Sequence, residues 1–275
     1  MYVEKANAPV RKPVTVPGLR TMKAEGRKIA MLTAYDTSFA MQSELAGVDV
    51  ALVGDSLGMV IQGRRSTLPV TLDQMVYHTA LVARGLSATL LVADLPFMSD
   101  RDVPTAMNAA ARLMGEGEAA MVKIEGAGHI LDVISALSAR DIPVCSHLGL
   151  TPQSVHKFGG YRVQGKNEDT ADQMLADAKA VEVAGADMLV LECIPSALGA
   201  RISRELSIPV IGIGAGPDCD GQVLVVYDML GITPGKRPKF SKDFLAGRDS
   251  VQAAMAAYVE DVRNGQFPGP EHGFN

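Results

Sequence analysis

Cysteine, blocks of positive charge and long apolar runs are what this sequence has least of, and each scarcity closes off a class of protein. Only three cysteines occur, Cys145, Cys193 and Cys219. They lack the paired spacing of a zinc site or a disulfide framework, so they read as packing residues of a protein kept in a reducing cytosol. The formal net charge is -5, and no basic block stands ready to displace counterions from a phosphate backbone, which argues against a nucleic-acid partner. No uncharged apolar run nears the ~18 residues needed to cross a bilayer. The start, MYVEKANAPVRKP, lacks the apolar centre of a signal peptide. The expectation is a soluble, cytoplasmic protein with no membrane partner.

What is present is core-forming material: 47% of the 275 residues are hydrophobic, enough for a large interior. Short apolar runs alternate with longer helical patterns, which predicts βα units around a parallel sheet. The runs fall at roughly 28–35, 48–55, 89–94, 119–125, 142–147, 186–192, 208–213 and 222–228. Several are near-continuous in Val, Leu, Ile, Ala and Met, as for strands buried on both faces. Thr71 with Gln74 and Thr170 with Gln173 read as capping boxes, and Gly47, Gly85 and Gly185 stand where helix C-caps are wanted. Two segments, AGVDVALVGDS and AGADMLVLECI, repeat the order of small-residue turn, apolar strand and terminal acid. Eight such units without a change of composition predict an α/β protein, a (β/α)8 TIM barrel, over residues 17–275 as one domain. A doubly wound open sheet is the structural alternative. The segment 17–26 is expected to form an N-terminal helix closing the barrel floor, residues 1–16 a tail, and the last few residues another. The longest βα loops span 56–70 and 148–167, and loops at that end of a barrel carry function.

Four of the apolar runs end on an acid: VALVGD on Asp55, LLVAD on Asp94, MVKIE on Glu125 and MLVLE on Glu192. Alternation along a strand puts Ala51, Val53 and Asp55 on one face, Met121, Lys123 and Glu125 on another, and Met188, Val190 and Glu192 on a third. Alternate barrel strands supply one interior layer, so these acids are expected at one height at the mouth. Any single one of them could simply cap the turn that follows. All four together are better explained as a site, since caps have no reason to share a face. Carboxylates ~5 Å apart at an effective dielectric of ~20 repel by about 3 kcal/mol per pair. A retained proton, the neighbouring Lys123 or a hard divalent cation would offset that, and oxygen-only ligands favour magnesium over zinc. Lys123 is either a structural ion-pair partner or a site residue, and the same two choices stand for His147, which ends the fifth run. His78, His129, His156 and His272 carry no signal.

The run IPVIGIGAGPDCDG fails as a dinucleotide fingerprint, because Gly216 follows Gly214 one position early and Pro217 comes next. Its glycines leave two uses open: binding an anion through backbone N–H groups, or allowing close backbone approach.

MLTAYD, VGDSLGM, TLPVTLDQMVYHT, LLVADLPFM, MVKIEG, HLGLTPQSVHKFGGYRVQG, VLECIP and PVIGIGAG, in this order and spacing, closely resemble the ketopantoate hydroxymethyltransferase family from about residue 17 onward. The resemblance implies a cytoplasmic transferase of pantothenate biosynthesis that moves a one-carbon unit from 5,10-methylenetetrahydrofolate to 3-methyl-2-oxobutanoate, giving 2-dehydropantoate. It also implies a (β/α)8 barrel assembled as a homodecamer, with one magnesium ion per subunit held through Asp55, Asp94 and Glu125. The keto acid would be bound with the help of Ser56 and Lys123, and Glu192 would accept the proton. A folate carries an anionic glutamate tail. Arg64, Arg65, Lys157 and Arg162 lie in the two long loops, where a rim for that tail and ordinary solvated charge are both open. The nearest competing family is a magnesium barrel of the isocitrate lyase and phosphoenolpyruvate mutase type, whose KKCGH motif is absent here. From another class, a phospholigand-binding barrel anchored on GIGAG would leave the acids and Lys123 unexplained.

Overall fold

The structure, a computed structural model, describes residues 11–275. Eight strands, β1 (Ile29–Thr33), β2 (Val50–Val53), β3 (Leu90–Asp94), β4 (Met121–Glu125), β5 (Val144–Gly149), β6 (Met188–Glu192), β7 (Val210–Ile213) and β8 (Gly221–Leu224), close into a barrel in chain order. Every neighbouring pair is parallel, including β1 with β8, so the open-sheet alternative is excluded. The helices are α1 (Val16–Ala24), α2 (Thr37–Ala46), α3 (Leu57–Val60), α4 (Leu72–Ala83), α5 (Val103–Gly115), α6 (Ile130–Ser138), α7 (Val155–Phe158), α8 (Glu168–Val183), α9 (Ser196–Glu205), α10 (Val226–Met229) and α11 (Val251–Arg263).

Local chemistry sets many of their starts. Asp36, Asp102 and Ser250 each accept a backbone N–H of the first turn, satisfying donors that a helix cannot pair itself. Thr71 and Gln74 make the expected capping box. The second box differs from expectation. Asn167 is the cap and Thr170 its third helical residue, because a short amide acceptor next to two acidic first-turn residues starts the helix earlier than Thr170 would.

Strand residues divide between two apolar bodies. Ala30, Leu32, Ala51, Val53, Val122, Ile124, Leu189 and Leu191 face outward into the helix layer. Ile29, Met31, Val50, Leu52, Val92, Met121, Cys145, Met188, Val190 and Ile211 fill the barrel interior, where Leu19 and Met22 of α1 join them from below. The closing helix is therefore present, running Val16–Ala24. At the seam of the barrel the buried hydroxyl of Tyr258, on α11, lies 2.9 Å from the Met31 carbonyl and 2.8 Å from that of Gln222. It ties the last helix to both β1 and β8.

Three expectations fall on or near the ends. Residues 1–10 of the expected tail lie outside the described residues, whereas Arg11 already donates to the Val48 carbonyl and Val14 to that of Ala88. The last apolar run is shorter as a strand than 222–228. Pairing stops at Leu224, and the Val226 N–H turns to the Thr33 hydroxyl to begin α10. The final residues are not a loose tail. Phe267 packs edge-on against Phe244 and Tyr258, and the Phe274 carbonyl accepts the Ser196 N–H at 2.9 Å. Aromatic side chains with apolar surface to bury outweigh the Pro and Gly around them.

Candidate active site

The carboxyl ends of β2 to β6 meet in a cavity of about 640 Å³, lined by Asp55, Ser56, Asp94, Lys123, Glu125, His147 and Glu192 among others. Asp94 pairs in register with Lys123, Glu125 with His147, and Gly149 with Glu192. Lys123, Glu125 and Glu192 reach the interior by the alternation expected of them, and Asp94 and His147 share the interior parity of Val92 and Cys145. Asp55 does not. Ala51 and Val53 face the helices, and Val50 and Leu52 face the interior, so the face assigned to β2 from alternation was the wrong one. Asp55 lines the cavity because the strand ends at Val53 and the chain turns at Gly54 into α3, which releases it from the strand period.

The polar groups are tightly partnered. Lys123 Nζ lies 2.6 Å from Asp94 Oδ1, both side chains being only 5% exposed. Asp94 Oδ2 accepts the backbone N–H of Asp55 at 3.0 Å. Gln153 bridges the next two acids: its Nε2 donates to Asp55 Oδ2 at 2.8 Å and its backbone N–H to Glu125 Oε2 at 3.0 Å. Ser56 Oγ lies 2.9 Å from the Tyr35 hydroxyl. The two ring nitrogens of His147 face Glu125 Oε1 at 3.6 Å and Glu192 Oε2 at 3.4 Å, and neither closes a hydrogen bond.

Burial and like charge set the protonation states. Burial, then the charges of Asp94 and Glu125, hold the Asp55 carboxyl well above the usual carboxylate range, against the opposing pull of Lys123 and Gln153. Burial pushes Glu125 up to about 8, with Lys123 pulling it down and Asp94 pushing it up. For Lys123 burial favours loss of the proton, but Asp94, Glu125 and Asp55 outweigh it and the ammonium is retained. Burial and the nearby Lys123 lower the His147 pKa against the pull of Glu192, leaving a neutral ring with one donor and one acceptor nitrogen. The Lys123–Asp94 ion pair offsets part of the acids' repulsion, and burial drives Asp55 and Glu125 toward protonation when no cation is present.

The donor set for a metal ion is all oxygen. Among the described residues no three His, Cys, Asp or Glu side chains form a closed ligand cage. Asp94 is already shared between Lys123 and the Asp55 backbone. Such an arrangement suits a hard cation that takes one or two protein carboxylates and fills its remaining positions with water or substrate oxygens, as magnesium does. It does not suit zinc.

Other expectations sort by position. Cys145, Cys193 and Cys219 are buried and unpaired, and burial raises all three thiols, Cys145 and Cys219 to about 12, consistent with packing roles. Arg64, Arg65, Lys157 and Arg162 are exposed and none lines the cavity. At Gly214 and Gly216, both with left-handed φ, a Cβ would meet Phe240 and Phe274 or Ser196. The glycine run serves close backbone approach. Sequence reasoning missed Gln153, Tyr35 and the cations of the loop after β8. Gln153 stands 98 residues from Asp55, so no spacing could have joined them; its only signal was its place in the HLGLTPQSVHK motif.

Residues 13–270 match the family model described as ketopantoate hydroxymethyltransferase. The chain is 58% identical over 264 residues to a 3-methyl-2-oxobutanoate hydroxymethyltransferase of Alkalilimnicola ehrlichii, covering 96% of this chain and 95% of that one. It is 60% identical to the protein of that name from Xanthomonas axonopodis pv. citri, covering 96% and 97%. Among solved structures, phosphonopyruvate hydrolase in complex with oxalate and magnesium superposes with a TM-score of 0.59 at 14% identity, covering 92% of this chain and 98% of that chain. At that identity the likeness is one of fold.

Proposed function

The chain belongs to the ketopantoate hydroxymethyltransferase family, and from that premise we propose that it adds a one-carbon unit to 3-methyl-2-oxobutanoate, forming 2-dehydropantoate for pantothenate and coenzyme A synthesis in the cytoplasm. The donor in this proposal is 5,10-methylenetetrahydrofolate. The supporting observation is the buried Lys123–Asp94 pair set in one cavity with Glu192.

The hard step is loss of a proton from C3 of the 2-oxo acid, whose electrons delocalise onto the C2 carbonyl oxygen. Lys123, kept charged by three acids, draws the substrate's carboxylate or developing oxyanion toward it, a preorganised charge in a site shielded from water. Ser56, with its hydroxyl oriented by Tyr35, hydrogen-bonds the keto acid. Glu192 accepts the C3 proton. His147, 3.4 Å from Glu192 Oε2 and 3.6 Å from Glu125 Oε1, keeps the base apart from the acids at the other side of its ring. One water hydrolyses the two C–N bonds of the donor's methylene group, releasing tetrahydrofolate and the one-carbon unit as formaldehyde. The electron pair at C3 attacks that carbonyl carbon, and the resulting alkoxide takes the proton held by Glu192 to become the hydroxymethyl group. Of Asp55, Asp94 and Glu125, with Gln153 orienting two of them, one or two would bind one magnesium ion per subunit directly and the rest through water, and the ion would act as a Lewis acid toward the oxygens of the 2-oxo acid. The assembly proposed is the homodecamer implied by the resemblance, checked by light scattering. Among the described residues no helix is long and apolar enough to cross a membrane.

C3 proton exchange of the keto acid in deuterated buffer, without folate, tests the base. Wild type with magnesium is expected to exchange; equal exchange by Glu192→Gln removes Glu192 from the mechanism.

A further inference from the structure

We propose that Lys236 and Arg237 form the anion-binding end of the active-site cavity and hold the carboxylate tail of the one-carbon donor. The inference rests on the folate donor proposed above and assigns residues to it. Three observations carry it. In the closed ring β8 lies directly opposite β4, so the loop following β8 and α10 faces the Lys123–Asp94–Glu125 cluster across the mouth. That loop contributes Lys236, Arg237 and Lys239 to the cavity lining, where the other wall contributes acids. Between the two ends the lining is apolar, with Ile213, Val223, Phe240 and Phe274.

A five-carbon keto acid leaves most of 640 Å³ unfilled, a volume in the range of roughly 300–1,000 Å³ typical for larger ligands. The second occupant that this lining fits has a flat apolar middle and an anionic end. Lys239 is already spent, donating to the Gly273 carbonyl and sitting 5.1 Å from the centre of the Phe274 ring. It fastens the loop to the C-terminal segment. Arg237 stands near two acids, 3.8 Å from Asp243 and within the electrostatic reach of Asp228, which also lines the cavity, but closes no short pair with either, and Lys236 is exposed on the cavity rim. These two cations are therefore the ones free to meet incoming carboxylates, whereas the arginines of the long loops stand outside the cavity.

The test uses the protein with 5,10-methylenetetrahydrofolate and with a tailless analogue in which the p-aminobenzoate ends as its primary amide, so that neither the glutamate nor any carboxylate remains. Lys236→Ala/Arg237→Ala is expected to raise the donor KM about tenfold while the keto acid KM moves by less than about twofold, since each exposed pair contributes modestly. Wild type should show a similar penalty with the tailless donor, and the variant none. Lys236→Arg should restore part of the loss in its single-site background. In wild type, which needs no variant to fold, added salt should raise the KM of the natural donor and leave that of the tailless one. A donor KM unchanged by the double variant, or equal salt dependence for both donors, overturns the assignment. Wild type that exchanges the keto acid proton but never turns over with methylenetetrahydrofolate overturns the donor itself, a separate outcome.

Discussion

At the floor of the barrel interior Met31, Val50, Val92, Met121 and Met188 meet Leu19 and Met22 of α1 with no charged group among them. Two to four residues further along β3, β4 and β6, and on the neighbouring β5, the interior holds Asp94, Lys123, Glu125, His147 and Glu192, all of them largely buried. The two regions share strands, register and degree of burial, and differ only in what they bury. Apolar burial at the floor stabilises at about 25 cal/mol per Å² removed from water. Charge burial at the mouth carries a desolvation penalty that Coulomb attraction only partly repays. A barrel can therefore hold a reactive layer because another layer supplies its stability.

The sharpest test of that division is at Glu192. Glu192→Gln is expected to lower kcat roughly 10²- to 10⁴-fold with little change in urea midpoint; a loss under threefold in steady-state assays would place the base elsewhere. Lys123→Met should behave differently, because it leaves Asp94 buried without its partner. A loss of about 3–5 kcal/mol in urea unfolding is expected, largely recovered by adding Asp94→Asn, and absence of recovery would mean that the pair is not what Lys123 stabilises. At the floor, Met121→Ala should cost about 3 kcal/mol through lost packing and a residual cavity, with kcat kept. A collapse of kcat alone would break the separation of the two layers.

A smaller effect distinguishes a charge outside both layers. Burial pushes the Glu44 carboxyl up, but the backbone N–H groups of Thr89, Ser87 and Ala88 outweigh it, and its pKa is lowered. A carboxyl with a depressed folded pKa contributes stability that is present above its usual value and lost as pH falls through the folded value. Glu44→Gln is expected to cost about 2 kcal/mol at neutral pH and to flatten the acid limb of the stability profile. A wild-type slope below pH 5 that persists in the variant would assign it to other carboxylates.

Much of the site was legible because of its regularity. A repeated βα unit brings every strand end to the same face, so Asp94, Glu125, His147 and Glu192 could be placed by strand parity alone. Asp55 was found for the wrong reason: parity turns it toward the helices, and only the early end of β2 brings it into the cavity. The last strand was read too long, since Val225 and Val226 are as apolar in a helix turn as in a strand and only the bond from Val226 to Thr33 separates the two. Lys236 had no pattern at all and Gln153 only its place in a motif; what stands across the cavity from each was not legible in the sequence.

The periodicity of apolar runs, their terminal acids and the family motifs determined the barrel, the end of it that gathers the acids and the chemistry of the floor, because these follow from spacings of a few residues along one strand or helix. The tertiary structure alone decided which carboxylates share Lys123 and Gln153, which of them burial pushes above the usual carboxylate range, which cations look into the cavity and that Phe274 walls it. Those are matters of distance between residues far apart in the chain, and electrostatic energy depends on that distance and on burial, neither of which is written in local sequence.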